Sequence, residues 1–350
     1  MFGTYRRDDV ELLLKDISGL VEPQPASVRE GLIQSGVHYC EMLPLEYKPS
    51  EQYFQTFCRA LELYSGITAS AVAAVAAQIV RRKGRDAVLV SLARAGTPVG
   101  ILIKHYMRQF LGVDPAHYSI SIIRGRGIDR NAMDYILQRH PADAIQFVDG
   151  WTGKGAIKRQ LEEAMRAYPG VDPCLAVLSD PACIAGICGT HDDFLIPSAC
   201  LNATVSGLLS RTFLRGDIIG PKDFHGAAFY RELMDQDVTY RFIDRVAASF
   251  SDAVELPREC ADGRAGAQAE VERIRQEFGI HDINLVKPSI GEATRVLLRR
   301  LPWKVLVHSM DDAQHLGHLY QLAREKGVEL VEYPLRHYRA CGIIREMADT

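Results

Sequence analysis

The chain has no apolar run of membrane-span length, no CxxC pair, little net charge and no internal repeat, and each absence removes a class of protein. The richest apolar stretch, 69–80, stops at Arg81, Arg82 and Lys83, so a buried helix is expected there and no membrane partner. Eight cysteines are scattered without metal-ribbon spacing, so reduced thiols are expected and neither a zinc ribbon nor a disulfide framework. A formal charge of −3 leaves no global field to gather nucleic acid, and any such site must be local. Residues 1–9 are charged and lack a signal-peptide core, which predicts a cytoplasmic protein.

What is present is ordinary globular material. A length of 350 residues suggests two domains or three modules, and 47% hydrophobic content is enough for a sizeable core. Helical spacing of Val10, Leu13, Leu14 and Ile17 predicts a helix over 8–18. Further helices are expected over 50–63 and 67–82. Strands at 87–92, 118–123, 145–148 and 174–179 then alternate with helices at 97–110, 129–138 and 156–167. That alternation predicts an α/β fold with a parallel sheet and flanking helices, whose ligands sit beyond the carboxyl ends of the strands. Helices are also read over 204–213 and 235–250, a linker over 252–266 and a charged amphipathic helix over 268–278. A small α/β module follows, with helices at 291–300 and 312–326 and strands at 304–308 and 329–333.

The residues after the strands carry the chemistry. Asp149 ends an apolar run, a turn containing Thr152, Gly153, Lys154 and Gly155 follows, and then a helix begins. Free backbone N–H groups and the positive end of a helix dipole make such a turn an anion site. Arg94 stands with Ala95 and Gly96 in a small-residue turn, where backbone can approach a ligand closely. Arg124, Arg126 and Arg130 occupy a glycine-punctuated loop, and their planar forks suit phosphate oxygens. Each of these loops also has a purely structural reading, since glycine turns and solvated arginines are common in α/β proteins. A Walker A loop is excluded, because Lys154 is followed by Gly155 rather than Ser or Thr.

Residues 88–100, VLVSLARAGTPVG, resemble the pyrophosphate loop of type I phosphoribosyltransferases, and 145–157, IQFVDGWTGKGAI, are similar to that family's phosphoribosyl diphosphate loop. The resemblance implies a type I phosphoribosyltransferase-like sheet, a ligand such as 5-phosphoribosyl diphosphate or a related sugar phosphate, and Mg2+ held at Asp149. It implies Arg94 on diphosphate and a closing loop of Arg124, Arg126 and Arg130. Two departures touch the chemistry: Gly150 replaces a second acid, and the Thr152–Gly153 pair comes early in the loop. Residues 289–295, SIGEATR, are similar to the helix start of Pelota-like RNA-binding domains, which implies RNA contact by Glu292 and Arg295, with Gly291 where that family has Asn. Together with FGTY at 2–5 and QSGVHY at 34–39, the two resemblances identify the phosphoribosyltransferase–Pelota proteins of bacterial tellurite-resistance and stress operons. That group also carries the label cysteine protease StiP.

A thiol reading stands beside the transferase reading. Residues 183–193 hold Cys188 and His191 with the acids Asp192 and Asp193, so a thiol, an imidazole and a carboxylate stand close together in sequence, the residue types of a cysteine hydrolase. The same stretch has two other readings: burial of a small-residue loop, or His191 and Asp192 lining an acceptor pocket. A metal on Cys188 and His191 lacks further ligands in the sequence.

The expected organisation is therefore a phosphoribosyltransferase-like unit over 1–255, with 181–252 shaping the acceptor pocket, a linker and helix over 256–283, and a Pelota-like domain over 284–350. The expected activity is transfer of ribose phosphate to or from a base. The alternatives are a cysteine protease and a non-catalytic nucleotide- or RNA-sensing protein.

Overall fold

The four expected strands pair in parallel, and their shared carboxyl edge organises the molecule. The computed structural model describes residues 2–46, 48–258, 260 and 263–345. The expected linker and C-terminal module thus include positions 259, 261, 262 and 346–350 that lie outside the described residues.

In chain order the first unit holds β1 (Glu11–Leu12), β2 (Lys15–Asp16), α1 (Ala26–Gln34), α2 (Glu51–Lys83), β3 (Val88–Ala93), α3 (Gly96–Tyr106) and β4 (Ala116–Ile123). It continues with β5 (Gly127–Ile128), α4 (Arg130–Leu137), β6 (Ile145–Val148), α5 (Ala156–Met165), β7 (Leu175–Ser179), β8 (Ile187–Thr190), β9 (Gly226–Ala227) and α6 (Thr239–Ala247). The second unit holds α7 (Gly263–Glu277), β10 (Val286–Pro288), α8 (Ile290–Arg299), β11 (Pro302–Val307), α9 (Ala313–Lys326), β12 (Glu329–Glu332) and β13 (Ala340–Ile344).

The main sheet runs β1-β4-β3-β6-β7-β8 with every pairing parallel, and β5 folds back antiparallel on β4. β3, β6 and β7 are buried along nearly their whole length, as strands covered by helices on both faces must be. The second unit has a mixed sheet in the order β10-β13-β11-β12.

α2 differs from expectation in being one continuous helix of 33 residues. It is long and apolar enough to cross a bilayer by length and composition alone. Most of its apolar residues, Val72, Val75 and Ile79 among them, are instead buried in the core, while Leu63 and Ile67 are exposed. Ser50 caps its start through the Tyr53 N–H, and Gly84, at φ +73°, ends it. One hydrophobic cluster runs from Tyr53 and Phe57 of α2 through Ile290 and Ala293 of α8 to Leu316 and Leu319 of α9, so the two units share a core.

Two expected helices do not form. Over 8–18 the chain is extended, because β1 finds backbone partners on β4 and β2 finds them on β9. Over 204–213 a single 3-10 turn, Ala203–Val205, is followed by positive φ at Gly207 and Leu208, and then by bridges to Phe229 and Gly226. Periodicity marked both stretches as buried on one side, and pairing with distant strands decided their backbone. The expected absence of disulfides also fails: Cys183 and Cys260 are bonded across 77 residues of sequence.

Candidate functional site

The loops after β3, β6, β7 and β8 meet at one edge of the sheet, under the second unit. Gly96 lets α3 start against the end of β6, where a Cβ would lie 2.5 Å from the Val148 carbonyl oxygen. Arg94 is buried; it donates to Leu209 O at 2.6 Å and to Glu46 Oε1 at 3.0 Å. A cleft of 470 Å³ between the units is lined by Arg94, Arg29, Arg211, Lys287, Arg295 and Arg300 among others. Desolvation pushes Arg211 down to about 9 and Lys287 down to about 8, with neighbouring cations adding to both shifts. The cleft is electropositive.

The turn after β6 is clamped by the second unit. Thr152 N–H is given to Ser179 O at 3.0 Å, and Gly155, at φ +81°, starts α5. Lys154 reaches the carbonyls of Ile283 and Val286, and Tyr338 donates to Gly153 O at 3.3 Å. Burial, with Lys287 close by, pulls the Lys154 amine down to about 7. Asp149 accepts Gly150 N–H at 2.8 Å, and desolvation pushes its carboxyl up to about 6. Asp149 shares its pocket with Arg124, Lys154, Lys287 and Arg295, and this cationic lining does not fit the magnesium that the resemblance implies. Arg126 pairs with Glu41 at 2.9 Å, Arg124 N–H is given to the Tyr39 hydroxyl at 2.9 Å, and Arg130 is exposed at the start of α4.

Glu292 and Arg295 face this turn. The Arg295 guanidinium lies 4.2 Å from the Trp151 ring centroid, and its Nη1 is 3.4 Å from Glu292 Oε1. Gly291 is glycine for a steric reason: a Cβ there would sit 2.5 Å from Trp151 Cε2. The two motifs that the sequence placed in separate domains are thus packed on each other. Asp193 completes the contact. Its carboxylate accepts Ile290 N–H at 3.0 Å and Arg339 N–H at 2.9 Å, capping α8 from the other unit, and burial pushes it up to about 7.

Cys188 on β8, His191 just after it and Asp180 just after β7 bring together a thiol, an imidazole and an acid. Cys188 Sγ is 3.6 Å from His191 Nε2. His191 Nδ1 lies 2.9 Å from the main-chain oxygen of Asp180 and 3.9 Å from its Oδ2. A carbonyl oxygen only accepts, so Nδ1 carries the hydrogen and Nε2 is the basic nitrogen. Asp180 is fully buried and fixed by Thr152 Oγ1 at 2.5 Å, Ile184 N–H at 3.2 Å and Ala185 N–H at 2.9 Å. Burial, then the charge of Asp180, pushes the Cys188 thiol up to about 12, so the resting sulfur keeps its proton. The sequence offered Asp192 and Asp193 as the nearby acids. Asp192 is exposed, and Asp180 holds the imidazole. The signal for Asp180 was its position directly after β7.

A second thiol–imidazole pair was missed. Cys40 Sγ is 2.9 Å from His38 Nδ1, while His38 Nε2 donates to Arg124 O at 3.0 Å. Cys40 is fully buried, and desolvation raises its thiol to about 11. The His-x-Cys spacing within QSGVHYC was its only trace in the sequence.

Comparison with known proteins follows this geometry. The model of a family described as tellurite-like stress resistance cysteine protease StiP matches residues 3–247, and that of the PELOTA RNA binding domain matches 265–346. A relative from Acinetobacter baylyi, called cysteine protease StiP, is 37% identical over 365 residues, covering 99% of this chain and 94% of its own length. A solved NifS-like protein from Rickettsia africae aligns with 97% of the chain, but at 9% identity and a TM-score of 0.19 it carries no argument. These matches overturn the main expectation. The chain's relatives are named as a cysteine protease, so the expected glycosyl transfer from phosphoribosyl diphosphate with magnesium is withdrawn, and the hydrolase alternative takes its place.

Proposed function

Because the chain belongs to the StiP family of tellurite-like stress resistance cysteine proteases, we propose that it is a thiol hydrolase whose nucleophile is Cys188. One observation carries the assignment: His191 stands between the Cys188 sulfur, 3.6 Å from Nε2 and 4.0 Å from Nδ1, and the Asp180 carbonyl, 2.9 Å from Nδ1.

The chemistry follows from the pair. As the sulfur attacks a peptide carbonyl carbon, the thiol proton passes to His191 Nε2, which the Asp180 carbonyl holds in the correct tautomer. Collapse of the tetrahedral adduct breaks the C–N bond, and His191 returns the proton to the leaving amine. Water, deprotonated by the same nitrogen, then cleaves the thioester and frees the thiol. Because the Cys188 thiol is held up to about 12, attack depends on this base at neutral pH.

The test is cleavage of a peptide library by reduced protein. Cys188→Ala and His191→Ala are expected to lower kcat/KM by about 10³-fold or more, with Cys40→Ala active. Wild type that cleaves nothing, or Cys188→Ala that cleaves at the wild-type rate, sinks the proposal. Loss in Cys40→Ala alone moves the nucleophile to the pair with His38.

A further inference from the structure

His191 has other sulfur neighbours besides Cys188. Cys183 follows β7 on the loop that Asp180 pins, and Cys260 comes from the segment leading to α7. Their sulfur atoms and a ring nitrogen of His191 all lie within 4.8 Å of one another. Nothing in the proposed hydrolase chemistry uses Cys183 or Cys260.

We propose that Cys183, Cys260 and His191 form a three-ligand zinc-class metal site that becomes available when the Cys183–Cys260 disulfide is reduced. Two thiolates and an imidazole are the soft and borderline donors that zinc selects. A tetrahedral zinc holds sulfur at about 2.3 Å and nitrogen at about 2.0 Å, which sets neighbouring ligand atoms roughly 3.5 Å apart. The ligand atoms of Cys183, Cys260 and His191, all within 4.8 Å of one another, lie close to that spacing. The other imidazole nitrogen, bonded to the Asp180 carbonyl at 2.9 Å, has the outer partner that metal-bound histidines keep.

The site is gated by the bond state of the two sulfurs. While the disulfide stands, those sulfurs carry no charge to give a cation. A dithiol reductant supplies two electrons and two protons, breaks the S–S bond and becomes a disulfide itself. The cation then displaces one proton from each thiol as the metal–sulfur bonds form. A bound cation takes the nitrogen that the Cys188 thiol needs as its base. Metal loading and thiol hydrolysis are therefore exclusive. That consequence rests on the hydrolase proposal, and the metal site itself does not.

Cobalt(II) serves as the probe, because thiolate–cobalt charge-transfer bands report sulfur ligation directly. Full-length protein reduced by a non-thiol phosphine is expected to take up one equivalent with tetrahedral bands. The oxidised protein and Cys260→Ala are expected to show none, and Cys188→Ala to keep the wild-type bands. Bands unchanged by oxidation or by Cys260→Ala, or absent from reduced wild type, overturn the proposal. A second reading needs no variant: zinc is expected to shield Cys183 and Cys260 from iodoacetamide, followed by peptide mass spectrometry, and equal labelling with and without zinc also overturns it. Cobalt binding is read without turnover, and Cys260 lies outside the thiol–imidazole pair. Failure of the metal site and failure of the hydrolase are thus seen separately.

Discussion

Single side chains decide which way each motif faces. Gly291 stands where Pelota-like helices carry Asn, and Trp151 explains the change, because an added Cβ would lie 2.5 Å from its ring. The ring in turn carries the Arg295 guanidinium at 4.2 Å. Gly291→Asn is expected to force the units apart and to cost about 1–3 kcal/mol, seen as a lower urea midpoint together with faster proteolysis between residues 250 and 265. An unchanged midpoint would show that Trp151 swings aside freely. The same scale explains the acid at the thiol site. Asp192 is nearer His191 in sequence but lies exposed, whereas Asp180, on the previous strand end, reaches the imidazole through its main chain.

At the scale of elements, the contact between α2 and β8 sets the thiol. Gly189 lies against α2, where a Cβ would meet the Ala71 Cα and carbonyl oxygen at 2.7 Å, both of them backbone atoms that cannot swing away. Small residues at Ala71 and Gly189 let the helix lie close on the sheet, and Gln78 of α2 donates to Cys188 O at 2.7 Å. Gly189→Ala is expected to destabilise the protein by about 1–3 kcal/mol and to impair peptide cleavage along with it. Gly216→Ala, with nothing within 4 Å, is the matched control and is expected to stay within about 0.5 kcal/mol of wild type. Equal denaturation midpoints for the two variants would contradict the account. α2 also shows why composition misleads: its apolar length reflects the neighbours it covers, the main sheet, α3 and α6, rather than a membrane.

Across the whole molecule, the two units are joined by polar as well as apolar contacts. Arg300 grips Glu30 of α1 with Nε at 2.7 Å and Nη2 at 2.9 Å. Burial alone would raise the Glu30 carboxyl, but Arg300, with help from Gln34 and Arg29, holds it below its ordinary 4.5. A carboxyl lowered in the folded state contributes stability that is fully present above 4.5 and is lost as pH falls through the lower folded value. Urea midpoints measured from pH 6 down to 3 are therefore expected to fall more steeply for wild type than for Glu30→Gln. Parallel curves would mean that the pair contributes nothing to docking. The covalent link from Cys183 to Cys260 adds to this joint, so reduction is expected to loosen the segment before α7 as well as to free ligands.

The sequence by itself determined the alternation of strands and helices between residues 87 and 179, because each of those elements carries its own period and its own turn. It also determined which loops would gather at the sheet edge, since parallel strands send their carboxyl ends to one side. Family membership was legible in short motifs, although their chemistry was first read as sugar-phosphate transfer and the relatives are named as proteases. Tertiary structure decided the rest. The extended backbone of 8–18 depends on a partner strand more than a hundred residues away. Asp180 in place of Asp192, Trp151 against Gly291, and Cys260 beside Cys183 and His191 are all meetings between distant segments. Local pattern carries no information about which surfaces a shared core brings together, and the site is made at those surfaces.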